Sequence, residues 1–179
     1  QKKGHDILIR AFKSVHETYP NIKLKIIGGG KERANLEALI GELHLTDAVF
    51  LLGKMSLFDI AEELKKAHLF CLPSEIAKNG DVEGIPNAIK EAMAIGLPVI
   101  STRHAGIPEL ISHLRTGYLI EERNVQQLSD GIESFLRSQE TWSDYTRAAR
   151  HVIEEQFDLK KQLIKQHEMY DIFLKKQWR

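Results

Sequence analysis

The sequence lacks the features that mark several protein classes. It has a single cysteine, Cys71, so no disulfide can form within the chain, and its apolar surroundings predict that it is buried. The 25 basic and 25 acidic side chains leave no net charge, which argues against non-specific binding to nucleic acid or to an anionic membrane. No apolar run approaches the roughly 20 residues of a membrane span, and no signal peptide is recognisable. We therefore expect one cytoplasmic domain over residues 1–179.

Short apolar runs alternate with amphipathic stretches along most of the chain. Apolar residues recur at helical spacing over residues 7–15, 36–43, 57–64 and 88–95. Five runs between the helices favour strands: Leu24 to Gly28, Ala48 to Gly53, His68 to Pro73, Pro98 to Thr102 and Thr116 to Ile120. The alternation predicts an α/β fold, with a Rossmann-like parallel sheet flanked by helices.

The two ends of the chain depart from this alternation. The first helix follows QKKG directly, whereas a doubly wound sheet begins with a strand, so we expect a strand before Gln1 in a longer chain. At the other end, a helical tail is predicted over about 124–179. We expect its aromatic residues to pack on the sheet: Trp142, Tyr145, Phe157, Tyr170 and Phe173. Asp6 is expected to cap the first helix, and Ser56 with Asp59 resembles a capping pair.

Ligands of open parallel sheets bind beyond the carboxyl ends of the strands. Three loops there have suitable chemistry, and the first is KKGHD, which places Lys3 next to a glycine at a helix start. The second holds Gly28, Gly29 and Gly30, which let a backbone approach a ligand, followed by Lys31 and Arg33. A tight strand-to-helix turn explains the glycines as well, and a solvated helix face explains the two cations.

The third loop begins the segment GDVEGIPNAIKEAMAIGLPVIST and leads into a predicted helix. Pro86 suits the first helical position, and the N–H groups of Gly84, Ile85 and Asn87 are then left for an anion such as phosphate. Glu83, just outside, is placed to accept hydrogen bonds from the hydroxyls of a sugar. Glu91 falls on the shoulder of the apolar stripe, without a basic residue three or four positions away. A semi-buried carboxylate of this kind needs a partner, either a ribose diol or a distant lysine.

Several motifs together resemble one enzyme family. The pair Glu83 and Glu91, separated by seven residues, is similar to the paired glutamates of retaining glycosyltransferases of family four. The flanking text is similar as well: KGHDILIRAF, IIGGGKERANLEAL, LPS, EGIPNAIKEAMAIGLPVIST and GIPELI. The resemblance runs from Lys3 to about Leu128 and implies the GT-B architecture, in which two Rossmann-like domains face each other across a cleft.

The resemblance implies a donor-binding domain and a role for each matching residue. Glu91 would hold the ribose hydroxyls, Glu83 would contact the donor sugar, and Lys3 would neutralise the diphosphate. The amides of Gly84 to Asn87 would receive the distal phosphate, and Gly53 would lie near the base. The family's arginine just upstream of the lysine is absent, so we expect negligible transfer by this piece alone. The acceptor, a glycan or glycolipid, would bind a missing amino-terminal domain, with the full enzyme cytoplasmic or peripheral at the inner face of the membrane.

Other interpretations remain open at this stage. Asp81 and Glu83 could bridge a divalent ion to the diphosphate, although the family resembles metal-independent enzymes; we predict no metal and no cofactor. A nucleotide-sugar epimerase of the same architecture would share the donor site. A non-enzymatic protein-binding module is a third alternative, supported by the aromatic tail. His104, after the fourth strand, is expected to be solvent-exposed rather than a donor contact.

Overall fold

The computed structural model describes residues 2–77 and 79–177, and the described residues form eight helices and five strands. All five predicted strands are confirmed, and three helices occupy the described part of the predicted helical tail; residues 178–179 of that tail lie outside the described range. In chain order the elements are α1 (His5–Thr18), β1 (Leu24–Ile27), α2 (Arg33–Glu42), β2 (Val49–Gly53), α3 (Leu57–Lys66), β3 (Phe70–Leu72), α4 (Asn87–Ile95), β4 (Val99–Thr102), α5 (Ile107–Leu110), β5 (Tyr118–Ile120), α6 (Val125–Arg137), α7 (Gln139–Gln156) and α8 (Leu159–Gln177).

Two helix starts test the capping predictions. Ser56 caps α3 as predicted, because its hydroxyl accepts the Asp59 N–H at 3.2 Å and donates to the Asp59 carboxylate at 2.7 Å. The prediction for Asp6 is wrong. The N-cap of α1 is Gly4, in the left-handed conformation with φ 58°, and Asp6 lies inside the first turn without a capping hydrogen bond.

The strands form two parallel sheets rather than one continuous sheet. β1 pairs with β2, and β4 lies between β3 and β5. Among the described residues no strand hydrogen bonds join β1 to β3. Helix α1 covers both sheets, because Ile9 and Phe12 pack with β1 and β2 while Leu8 and Ala11 pack with β4 and β5.

Helices cover both faces of the three-stranded sheet. Neighbouring residues of β4 point to opposite sides: Val99 packs with α4 and α5, and Ile100 packs with α1 and α6. Such two-sided burial is expected of a parallel sheet. Cys71 of β3 is partly buried on the α1 side, and desolvation raises the pKa of its thiol to about 12.

The helical tail packs on the domain only in its first part. Trp142 is buried against Phe135, and Phe157 packs beside α4, as predicted. The prediction is wrong for Tyr170 and Phe173, which are 60% and 58% exposed, because α8 extends away from the sheet and contacts mainly α7. Despite the apolar side chains of α8, no helix in the described part of the chain has the length and hydropathy of a membrane span.

Candidate functional site

A glycine places the first lysine loop against the end of β3. A Cβ atom added to Gly4 would lie 2.0 Å from the carbonyl oxygen of Pro73, and its φ of 58° is also unfavourable for other residues. The Glu75 N–H donates to the Lys2 carbonyl at 3.0 Å and ties the same two segments together. Lys3 is thereby held at the carboxyl end of β3, where parallel sheets bind ligands.

Lys3 and Glu83, which lie 80 positions apart in sequence, contact each other directly. The Lys3 ammonium lies 2.7 Å from one carboxylate oxygen of Glu83 and 2.9 Å from the other. The side chains are 39% and 20% exposed. The structure therefore brings together the two residues for which the sequence resemblance implies roles at the diphosphate and at the sugar.

A second ion pair joins the same two loops. Lys2 lies 3.0 Å from Asp81, and both side chains are largely exposed. The carboxylates of Asp81 and Glu83, which suggested a metal-bridging motif, thus each pair with a lysine. Within residues 2–77 and 79–177, no group of three or more potential ligands is arranged to hold a metal ion.

The start of α4 provides unpaired backbone donors. In the described part of the chain, the N–H groups of Gly84, Ile85 and Asn87 have no hydrogen-bond acceptor. Pro86 is the N-cap, with φ −62° and ψ 130°, and Asn87 is the first helical residue, so the sequence placed Pro86 one position too far into the helix. Free N–H groups at a helix start, together with the helix dipole, favour an anion.

Glu91 does not occupy the semi-buried position that its helical spacing suggested. It is exposed on α4, and no hydrogen bond or ion pair to another described residue is found. The stripe of α4 that packs in the core consists of Ile89, Ala92 and Met93, and Glu91 lies outside it. Because water can solvate the exposed carboxylate, Glu91 does not need a partner within the protein. Its role in ligand binding rests on the family resemblance alone.

The predicted glycines lie together at the ends of β1 and β2. Gly28, with φ 134°, donates its N–H to the carbonyl of Gly53 at 2.8 Å. A Cβ atom at Gly29 would lie 2.9 Å from the side chain of Lys54, whereas Gly30 faces open space. Arg33 pairs with Glu37 and donates to the Leu51 carbonyl, which agrees with a structural role on the helix face.

A polar cluster in which Glu75 and His104 are buried and Arg123 is exposed lies at the ends of β3, β4 and β5 and was missed by the sequence reasoning. His104 is 1% exposed, contrary to the expected solvent exposure, and its Nδ1 lies 2.6 Å from a Glu122 oxygen. The Arg123 Nε donates to the Glu75 carboxylate at 2.6 Å. Burial by itself would raise the pKa of Glu122, but hydrogen bonds from His104 and from the Ile76 N–H outweigh it and lower that pKa. One feature of the sequence could have indicated this cluster, since each of its residues follows the end of a predicted strand.

Comparisons with known proteins identify relatives of the chain. It is 37% identical over 158 residues to the amylovoran biosynthesis glycosyltransferase AmsK of Erwinia amylovora, covering 88% of this chain and 39% of AmsK. It is 33% identical over 159 residues to the putative colanic acid biosynthesis glycosyltransferase WcaL of Escherichia coli, with coverage of 88% and 39%. The chain thus spans about two fifths of the length of these relatives.

Solved structures share the fold. The crystal structure of Anabaena HepE in complex with UDP superposes with a TM-score of 0.82 at 24% identity, over 94% of this chain and 46% of HepE. The family model described as "Glycosyl transferases group 1" matches residues 1–152. The chain belongs to the group 1 glycosyl transferase family.

Proposed function

We propose that residues 1–179 are the donor-binding domain of a retaining, family-four glycosyltransferase with the GT-B architecture. The observation that carries the proposal is the direct contact between Lys3 and Glu83 beside the unpaired N–H groups that begin α4. A cation, a carboxylate and backbone donors at one sheet edge suit a sugar attached to a diphosphate. The reaction would transfer that sugar from a nucleoside diphosphate to an acceptor.

The role of each residue follows from this arrangement together with the family resemblance. Lys3 and the N–H groups of Gly84, Ile85 and Asn87 would hold the diphosphate, and Glu83 would contact the sugar. Glu91 would accept hydrogen bonds from the ribose hydroxyls. The four glycines, Gly28 to Gly30 and Gly53, would leave room for the nucleoside beside β1 and β2.

Ligand binding would require an exchange of partners at Lys3. The lysine pairs with Glu83, so a diphosphate that binds the ammonium group must replace that carboxylate. A pair that retains this much exposure contributes on the order of 1 kcal/mol at most, so a multiply charged ligand can displace it. The exchange would leave the Glu83 carboxylate without its lysine partner, beside the sugar, only when a donor is bound.

Catalysis would depend on stabilising the leaving diphosphate. As the glycosidic bond breaks, negative charge increases on the phosphate oxygens, and the donors that contact them become more effective. The loss of one such donor can reduce a rate by roughly 10²–10³.

Three observations support the proposal that this domain is one half of a larger enzyme. The chain spans about two fifths of AmsK and WcaL. The sheet is interrupted between β1 and β3, where a further parallel strand would complete it. Apolar residues of α8 such as Leu163 and Phe173 are more than half exposed, as expected of a helix that packs on a second domain. We expect negligible sugar transfer by residues 1–179 alone.

The acceptor is proposed to be a glycan or glycolipid intermediate in the synthesis of a cell-surface glycan. Two relatives are named for amylovoran and colanic acid biosynthesis, and that naming is the support for this step. Such an acceptor would be reached from the cytoplasmic side, with the enzyme peripheral to the membrane. A second candidate, a protein-binding module without activity, is favoured by one observation, the exposed apolar residues of α8.

Nucleotide titration tests the proposed function. UDP, GDP and ADP are added in turn to the intact protein, and affinity is measured by calorimetry. We expect one of them to bind and to shift the amide resonances of residues 84–87. Lys3→Met should weaken that binding by roughly tenfold, about 1.4 kcal/mol, whereas the adjacent Lys2→Met should leave it nearly unchanged. Absence of binding by all three nucleotides would favour the protein-binding module.

A further inference from the structure

The loop from Pro73 to Pro86, here called the donor loop, carries Glu83 and leads into α4. Its described residues, 73–77 and 79–86, form no strand or helix, so other contacts must fix its position. At its amino-terminal end, three side chains from the loops after β4 and β5 converge on residues Glu75 and Ile76. Two separate sets of hydrogen bonds hold this point.

The first set is formed by Arg123, in the loop after β5. Its Nε donates to the Glu75 carboxylate at 2.6 Å and its Nη2 donates to the Ile76 carbonyl at 2.8 Å. Glu75 is only 8% exposed, so its charge needs this partner. Arg123 adopts φ 60°, an unfavourable conformation for a residue with a side chain, and its two hydrogen bonds help to offset that cost.

The second set runs from His104 through Glu122. One Glu122 oxygen accepts the Ile76 N–H at 3.0 Å, and the other lies 2.6 Å from the Nδ1 of buried His104. An ionised carboxylate only accepts hydrogen bonds, so Nδ1 carries the proton and donates. Both backbone groups of Ile76 are thus bound by neighbouring residues of the β5–α6 loop.

The same segment is connected to both members of the Lys3–Glu83 pair. The Glu75 N–H donates to the carbonyl of Lys2, the residue before Lys3. From Ala77 the loop turns back, since the Ala77 N–H donates to the Asp81 carbonyl, and Glu83 follows two residues later. Displacement of residues 75–76 would therefore move the lysine and the glutamate relative to each other.

We propose that Glu75, His104, Glu122 and Arg123 are positioning residues that hold the donor loop so that Glu83 and the α4 N–H groups face the ligand. The inference rests on the proposed function, because it assigns these residues to the nucleotide site. None of the four needs to contact the nucleotide. Misplacement of binding groups by about 1 Å can cost up to 10²-fold in activity. Residues that only hold the donor loop in position can therefore affect nucleotide binding without contacting the nucleotide.

A neighbouring ion pair provides a matched control. Arg103 pairs with Glu121 at 3.3 Å and joins the same two loops, after β4 and after β5, but no hydrogen bond or ion pair links its side chain to a described residue of the donor loop. If the cluster only stabilises the fold, loss of Arg103 and loss of Arg123 should have similar consequences. If it positions the donor loop, only the Arg123 variant should change nucleotide affinity.

The experiment measures affinity and stability in the intact protein. Arg123→Ala should weaken binding of whichever of UDP, GDP or ADP binds the wild type by on the order of tenfold, and Arg123→Lys should recover part of the loss. Arg103→Ala should leave the affinity unchanged. Thermal unfolding is recorded for each variant, and Glu122→Gln serves as the second test should Arg123→Ala not fold.

The outcomes separate this inference from the proposed function. If the wild type binds a nucleotide and the folded Arg123 or Glu122 variant binds it equally well, the positioning role is overturned while the proposed function stands. Equal losses in the Arg103 and Arg123 variants also overturn it. If the wild type binds none of the three nucleotides, the proposed function fails, and the positioning role fails with it.

Discussion

At the scale of single residues, the contact between Lys3 and Glu83 changes the expected behaviour of both. The Lys3 ammonium lies 2.7 and 2.9 Å from the two carboxylate oxygens of Glu83, so the two side chains form an ion pair. The carboxylate competes with a diphosphate for the lysine, and its negative charge repels the diphosphate. Glu83 should therefore oppose binding of a bare nucleoside diphosphate, even if it assists the reaction of a nucleotide sugar.

Glu83→Gln should accordingly tighten nucleoside diphosphate binding while it lowers turnover. We expect a gain in affinity of about two- to fivefold, the equivalent of an exposed ion pair, measured by calorimetry in the intact protein. Asp81→Asn, which removes the parallel pair with Lys2, is the control and should leave the affinity unchanged. Weaker binding of UDP, GDP and ADP by Glu83→Gln would show that Glu83 is a direct contact of the nucleotide.

A substitution of Glu91 tests the role that the family resemblance implies for this residue. Because the side chain is exposed, the substitution should change nucleotide binding without changing stability. A ribose diol donates better to a carboxylate than to an amide, so Glu91→Gln should weaken nucleotide binding in calorimetry. Its thermal unfolding should match the wild type, since the side chain is exposed and lies outside the buried stripe of α4. Glu42→Gln, at another exposed helix position, is the control; equal affinities in the two variants would remove Glu91 from the site.

At the scale of secondary-structure elements, the start of α1 is fixed by a glycine rather than by a polar cap. Gly4→Ala should destabilise the protein for two reasons: the left-handed backbone costs about 1–2 kcal/mol with a side chain, and the new Cβ atom meets the Pro73 carbonyl at 2.0 Å. The free energy of unfolding from urea titration measures the loss.

Gly80 offers a control for this prediction. It also has positive φ, 79°, but a Cβ atom there would have no neighbour within 4 Å. Gly80→Ala should therefore show the backbone cost alone, and Gly4→Ala should lose distinctly more. Equal losses would mean that the contact between Gly4 and Pro73 does not constrain the loop that carries Lys3.

At the scale of the whole molecule, the charge pattern at the sheet edge favours transfer without a metal ion. Asp81 and Glu83 each pair with a lysine, and the start of α4 supplies further donors for a diphosphate. EDTA should therefore leave the sugar-transfer rate of the full-length enzyme unchanged, as followed by nucleoside diphosphate release. A rate abolished by EDTA and restored by Mg²⁺ would support the metal-bridging alternative for Asp81 and Glu83.

The sequence determined the order of elements, because strands and helices of this domain differ in local hydrophobic period. All five strands and the Ser56 cap of α3 could be predicted for that reason. The motif around Glu83 and Glu91 indicated a glycosyltransferase, and the family match over residues 1–152 confirms membership of the group 1 glycosyl transferases. Local pattern failed where the outcome depended on distant packing, as for the exposed Glu91 and for Tyr170 and Phe173 on α8.

Only the tertiary structure decided which charges meet. Lys3 and Glu83 are 80 positions apart, and Glu75 and Arg123 are 48 apart, so no helical or strand spacing could pair them. They meet because parallel strands bring their carboxyl ends, and the loops that follow, to one edge of the sheet. His104 is buried for the same reason. Its contact with Glu122, in the loop after β5, is not visible from the residues next to it in sequence.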